Sequence, residues 1–223
     1  DYAYEIIMFE SLQVHHLRRL QQQSFSFDSH FNLIFGPNGA GKTSLLESIY
    51  LLCTGHSFRT RETIPLIQNG AHELTLFAKT FQGQTIALQK SMSLGTKVLV
   101  DEVPCRTSAL LAKQNPCQVV YQDIFQIIDA GPHVRRSVLD WGMFHVEPLY
   151  HETWLNYKKI LKQRNALLKT NPSYALIQPW DEQLVKVGLC LHEMRQRYVE
   201  RWVPYFMQVI EVLKGVDCGL QYE

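Results

Sequence analysis

The residues Gly36-Pro37-Asn38-Gly39-Ala40-Gly41-Lys42-Thr43 follow the spacing GxxxxGK[ST]. Each type in that pattern has a task in holding phosphate. Glycines let the backbone curl until successive N–H groups point inward at phosphate oxygens. A lysine at position 42 supplies a point charge for the β- and γ-phosphates, and the hydroxyl of Thr43 can coordinate a nucleotide-bound Mg²⁺. Ser44 adds a further hydrogen bond to phosphate. At average glycine usage, a chance match in such a chain is on the order of 1%. The residues 36–44 are therefore read as a P-loop that binds a nucleotide.

A P-loop works only between a strand and a helix, and the flanking residues supply both patterns. The apolar run Phe31 to Phe35 is the expected strand. A helix is expected from about Lys42 to Cys53, with Leu45, Leu46, Ile49 and Leu52 on one face and Gly55 as its stop. Its partial positive N-terminus would lie under the phosphates. Tyr4 to Phe9 and Ser24 to Phe27 are expected as short strands. From Glu73 to Val100 the period changes to alternation, with Leu74, Leu76 and Ala78 on one side, a turn at Gln82-Gly83, then Ile86 and Leu88. That predicts an antiparallel meander inserted after the first helix.

Cys117 to Tyr121 is expected to return as a strand of the main sheet. Beyond it the pattern is helical. Tyr150, Trp154, Tyr157, Leu161 and Leu168 form one stripe, and a longer one runs from Leu184 through Leu191, Tyr198 and Tyr205 to Val212. Pro204 is expected to kink or interrupt that helix, and Asp181 to start it. The expected fold class is α/β: a P-loop ATPase head over residues 1–128 with an inserted meander, then an all-helical lobe over 129–223.

Further constellations span nearly the whole chain. They include Gly55-His56-Ser57-Phe58-Arg59-Thr60, Gly131-Pro132 with Arg135-Arg136, Leu139-Asp140-Trp141-Gly142, Phe144-His145-Val146-Glu147-Pro148 and Lys162-Gln163-Arg164-Asn165-Ala166-Leu167-Leu168. General phosphate chemistry demands none of these. With the P-loop they resemble the RecF family of ABC-type ATPase heads related to SMC proteins.

That resemblance implies ATP with Mg²⁺ as cofactors, and dimerisation with nucleotide held between two subunits. It also implies a grip on DNA at gapped duplex or single/double-strand junctions, acting with RecO and RecR to help load RecA in repair and the SOS response. By the same resemblance Arg18 lies near the nucleotide base or ribose, although Leu17 stands where the family carries Phe; an ordinary solvated arginine is the alternative. Gln122 would reach the Mg²⁺ or the attacking water, with Gln118 as its competitor. Arg59 and Arg61 would lie on a loop that touches ATP or DNA, and Lys158 and Lys162 on a basic stripe along DNA, where solubility alone also favours lysine. The family's signature motif and Walker B strand lie nearer the C-terminus, and neither pattern occurs here. Val98-Leu99-Val100-Asp101-Glu102 looks similar to a Walker B but is read as the end of a meander strand, with Val103-Pro104 as the turn. The chain, which also begins without Met, is thus expected to be the N-terminal portion of a slow ATPase, holding half a site and binding ATP without efficient hydrolysis. The alternative is another P-loop protein, such as a transporter ATPase subunit or a small-molecule kinase. No Asn-Lys-x-Asp is present for guanine.

Composition sets looser bounds. The 223 residues carry 22 Lys/Arg against 21 Asp/Glu, a net charge of +1 that does not by itself indicate nucleic acid. Seven of those basic residues and three of the acidic ones fall between Ala130 and Thr170, so positive charge is gathered there. Five scattered cysteines without a CxxC pair suggest neither a disulfide framework nor a zinc site. No apolar run reaches the roughly 18 residues of a membrane span. The expected location is the cytoplasm, with no membrane partner.

Overall fold

The computed structural model of the chain describes residues 8–120, 131–213, 218–220 and 222. The chain divides into two compact units, Asp1–Tyr121 and Gln122–Glu223. The expected boundary at 128/129 lies outside the described residues.

In the first unit, strands β1 (Phe9–Leu17), β2 (Leu20–Ser26), β3 (Glu73–Thr80), β4 (Thr85–Ser91), β5 (Gly95–Val100) and β6 (Val103–Pro104) form one antiparallel sheet in the order β2-β1-β3-β4-β5-β6. The alternation read over 73–100 sets its register. Leu76 pairs with Leu88 and Ala78 with Ile86, and these side chains are all at most 2% exposed. Their neighbours across β1, Val14 and Leu12, are fully buried too. One face of the sheet is therefore the core. Against it lie α1 (Lys42–Thr54), a 3-10 turn (Ile64–Leu66) and α2 (Ser108–Gln114).

Helix α1 ends as predicted, on Gly55 at φ 74°, with its N–H donating to Leu51 O. Its buried face is rotated from the expected one. Leu45, Glu47, Ser48, Leu51 and Leu52 are buried and Ile49 half-buried, whereas Leu46 is 47% exposed.

Two expected strands are not formed. Residues 31–35 lie in no regular element, with Phe31, Leu33 and Phe35 each more than 70% exposed. A strand exists by its ladder of hydrogen bonds, and among the described residues no strand pairs with this segment. Residues 117–120 likewise lie in no regular element, and Tyr121 falls outside the described residues. The first two strands are longer than expected: β1 begins where the first was to end, and β2 starts at Leu20 rather than Ser24. Residues 4–7 lie outside the described residues. The turn closing β5 falls on Asp101-Glu102, both at positive φ, rather than on Val103-Pro104, which pairs back as β6. The Asp101 carboxylate accepts from Thr85 N at 2.7 Å, a hairpin cap.

Cys53 on α1 and Cys117 share a thiol hydrogen bond at the core edge. That bond and burial push the Cys53 thiol well above its ordinary pKa. The same bond draws Cys117 down, against the opposing effect of burial. Since the thiolate is the nucleophile, Cys117 is expected to alkylate before Cys53 in the native chain, and Cys53→Ala to slow it. Peptide mapping after timed iodoacetamide exposure checks this; equal rates at the two sites would refute it.

The second unit is helical: α3 (Pro132–Val146), α4 (Tyr150–Leu168) and α5 (Tyr174–Val212). Its core gathers Met143, Tyr150, Leu191 and Met194, with Trp154, Tyr157 and Tyr198 packed around them. Helix α5 starts after Ser173, two turns earlier than expected, and runs through Pro179 and Pro204 without ending at either. Asp181 is thus inside the helix and pairs with Arg164 of α4. The apolar stripe is at least half-buried as far as Trp202, whereas Tyr205, Val209 and Val212 are 60% or more exposed. The Leu139-Asp140-Trp141-Gly142 motif has a structural reason. Asp140 accepts from Tyr150 Oη and from Arg195 Nη2 at 2.8 Å, joining all three helices. Burial and that carboxylate raise the Tyr150 phenol far above its ordinary pKa. Among the described residues, no helix is long and apolar enough to cross a membrane.

Candidate functional site

The P-loop is an exposed turn leading directly into α1. Gly41 is the N-cap of that helix at φ 98°, where a Cβ would stand 2.8 Å from Leu20 Cδ2. Gly39, at φ 84°, would drive a Cβ to 2.8 Å from Arg19 Nη1. Both positions thus disfavour side chains through backbone angle, and Gly41 also through space, because Leu20 is buried whereas the Arg19 tip can move. The first N–H groups of a helix have no intrahelical carbonyl, so the amides of Lys42, Thr43 and Ser44 head the loop. Lys42 Nζ donates to Gly36 O at 2.7 Å and Pro37 O at 2.9 Å, which places the ammonium across the loop.

The loop floors a cleft of about 420 Å³ lined by Arg18, Arg19, Asn38, Gly39, Gly41, Lys42, Thr43, Ser44 and Arg59. No carboxylate is among these residues, so the cleft is cationic and carries hydroxyl and amide donors. Gly36, Pro37 and Ala40 shape the turn around it, and Ala40 N donates to Pro37 O at 3.2 Å. The donor set suits a polyphosphate, with Thr43 available for its metal ion.

A buried acid that sequence reasoning did not single out organises the rim. Glu47 sits one turn into α1, fully buried, and accepts from Arg18 Nε at 2.5 Å and Nη2 at 2.9 Å. Its other contact is the Ser57 hydroxyl, which in turn accepts from Arg59 N at 3.0 Å and Thr60 N at 3.1 Å. One carboxylate therefore ties the β1–β2 turn and the loop after α1 to the phosphate helix. Arg18 reaches the cleft at φ 52°, an angle uncommon for a side-chain-bearing residue.

Arg19 was also missed; only the β1–β2 hairpin brings it over Gly39. Arg61 is exposed and does not line the cleft. Gln122 lies outside the described residues, and Gln118 is exposed in no regular element. Lys158 and Lys162 are exposed on α4 of the second unit, Lys158 with its ammonium 5.3 Å from the Trp154 ring centre.

Comparison with known proteins follows the same lines. The AAA domain family matches residues 11–132, more than half of the chain. The chain belongs to that family of P-loop ATPase domains. Within it the likeness is to RecF. The chain is 38% identical over 214 residues to the DNA replication and repair protein RecF of Acinetobacter baylyi, covering 95% of this chain and 60% of that protein. To the RecF of Shewanella sp. (strain MR-7) it is 38% identical over 208 residues, covering 92% and 56%. The chain thus spans less than two thirds of the curated relatives it matches. In fold it is similar to the solved structure of the recombination mediator protein RecF-ATP in the RecFOR pathway, with TM-score 0.81 and 24% identity over 93% of this chain and 58% of that one. The Smc head domain of Pyrococcus furiosus is a more distant likeness, with TM-score 0.53 and 15% identity over 92% and 62%. The resemblance to the RecF family read from the motifs holds, and so does the α/β ATPase-head class.

Proposed function

We propose that this chain is the ATP-binding part of a RecF-type DNA repair ATPase. The carrying observation is the cationic cleft on the N-terminus of α1, built from a complete P-loop and walled by Arg18, Arg19 and Arg59. In this reading Lys42 neutralises the β- and γ-phosphates, the amides of 39–44 hold their oxygens, and Thr43 takes the Mg²⁺. Arg18 contacts base or ribose from a position held by Glu47. Magnesium supplies charge neutralisation when bound.

The larger assignment extends the RecF likeness to the longer protein. ATP binding drives two heads together, the dimer grips gapped or junction DNA, and RecO and RecR join it to help load RecA. Arg59, Arg61, Lys158 and Lys162 are the cations offered to DNA. A transporter subunit or small-molecule kinase would share the P-loop but not the RecF likeness over nearly the whole chain.

Titration with Mg·ATP tests the first step. Lys42→Ala is expected to weaken binding by about 10- to 100-fold, the range for losing charged hydrogen bonds. Phosphate release by the chain alone is expected to be negligible. Unchanged affinity in the variant would remove the P-loop reading. Turnover that needs both Lys42 and Asp101 would replace the half-site with a self-contained enzyme.

A further inference from the structure

Strand β4 carries an anomaly. Ile86 and Leu88 face the core, and the next residue in that alternation is Lys90, only 6% exposed. Register alone puts an ammonium where an apolar side chain belongs, opposite Leu74 on β3 and Thr96 on β5. Lys90 Nζ donates to Thr96 Oγ1 at 2.8 Å, and no ion pair to it occurs among the described residues. An ammonium has three N–H donors, and a buried charge is costly unless paired.

Beside Lys90 lies a cavity of about 160 Å³, lined also by His56, Arg106, Thr96, Thr107 and Ser108, with no carboxylate among its lining residues. Thr107 Oγ1 accepts from Leu110 N at 3.1 Å, which leaves its own O–H to donate. Burial, and then the charge of Lys90, push His56 below its ordinary pKa. Burial lowers Lys90 as well. Gly55, at the C-terminal end of α1, also lines the space. The roughly half negative charge of that helix end is outweighed by Lys90 and Arg106. From the P-loop this cavity is separated by the 13 residues of α1, on the order of 20 Å at 1.5 Å per residue.

We infer that this cavity is a second anion site, taking one small phosphate-type oxyanion, free or as the terminal phosphate of a larger ligand, between Lys90, Arg106, His56 and the hydroxyls of Thr107 and Ser108. The oxyanion supplies the countercharge that the fold leaves out, and its several acceptor oxygens match the N–H and O–H donors of Lys90, Arg106, Thr107 and Ser108, with Val98, Cys105 and Leu111 completing the wall. The inference does not depend on the P-loop's ligand.

The test uses the full chain carrying Lys42→Ala, which weakens phosphate binding at the P-loop. Its melting temperature is followed as inorganic phosphate replaces chloride at matched ionic strength, with isothermal titration alongside. A saturable rise is expected, since a ligand of the native state stabilises it. Adding Lys90→Met or Arg106→Gln is expected to weaken the phosphate response at least about tenfold. In chloride, Lys90→Met is expected to melt at or above its parent, because an apolar side chain then fills the inward position. Arg106 is exposed, so its variant reports on the site even if Lys90→Met folds poorly. No saturable rise, or an equal rise with both additions, overturns the inference. Competition by a 5′-phosphorylated dinucleotide identifies a terminal phosphate as a source, and competition by neither dinucleotide identifies the free ion. Equal competition by the unphosphorylated dinucleotide would mean a diester contact and overturn the small-oxyanion assignment.

Discussion

Glu47→Ala is expected to lower the stability of the first unit by about 3–5 kcal/mol, the cost of breaking a buried ion pair by removing one partner. The Glu47 side chain is 0% exposed and that of Arg18 20%, so little solvent screens them. Three donors, Arg18 Nε, Arg18 Nη2 and Ser57 Oγ, lose their acceptor together. Replacing both partners with Glu47→Leu and Arg18→Met is expected to recover much of the loss, because no orphan charge remains. Urea denaturation of the single and double variants measures the difference. A midpoint unmoved by Glu47→Ala would mean that the pair is marginal. Nucleotide affinity supplies a second readout: Arg18 and the backbone of Arg59 are both held through this carboxylate. The double variant should therefore regain stability without regaining affinity for Mg·ATP. That dissociation separates a positioning role from a purely structural one.

Gly142→Ala is expected to destabilise the helical unit by about 1–3 kcal/mol, the usual cost of overpacking a closed core. In an exposed helix the same change would stabilise by up to about 1 kcal/mol, so the sign is diagnostic. Here the added methyl would overlap Tyr198 Oη and stand 2.8 Å from Cζ. Tyr198 is part of the packed core and cannot swing away freely. Tyr198→Phe in the Gly142→Ala background removes the nearest atom and should return part of the loss. Thermal melts of the four-member cycle read this directly, and a melting temperature raised by Gly142→Ala would contradict the packing described.

Much of this was written locally. The P-loop and Gly55 specify positive-φ positions that few other residues occupy at low cost, so their spacing announces a turn and a helix end. The meander was legible because alternation at Leu74, Leu76, Ala78, Ile86 and Leu88 permits one buried face only. Apolar runs were less informative. Phe31 to Phe35 carries strand-forming residues, but a strand needs an edge, and hydrophobicity does not say which segment supplies it. Helix α1 shows a related limit. Its apolar residues nearly encircle the helix, so the burial of Glu47 and exposure of Leu46 depend on what packs there.

The P-loop turn, the helix that follows it and the hairpin register were determined by residue types acting over a few positions, where backbone angle and alternation leave little choice. Everything that depends on distant segments meeting was decided by the tertiary structure. Arg19 reaches the cleft because β1 and β2 fold over Gly39. Glu47 becomes a hub because the turn at Arg18 and the loop at Ser57 converge on one face of α1. Lys90 becomes a buried cation because β4 lies inside the sheet, with its inward positions roofed by α1 and α2. Charge is a property of a residue, but its energetic meaning comes from the solvent and partners that packing removes or supplies.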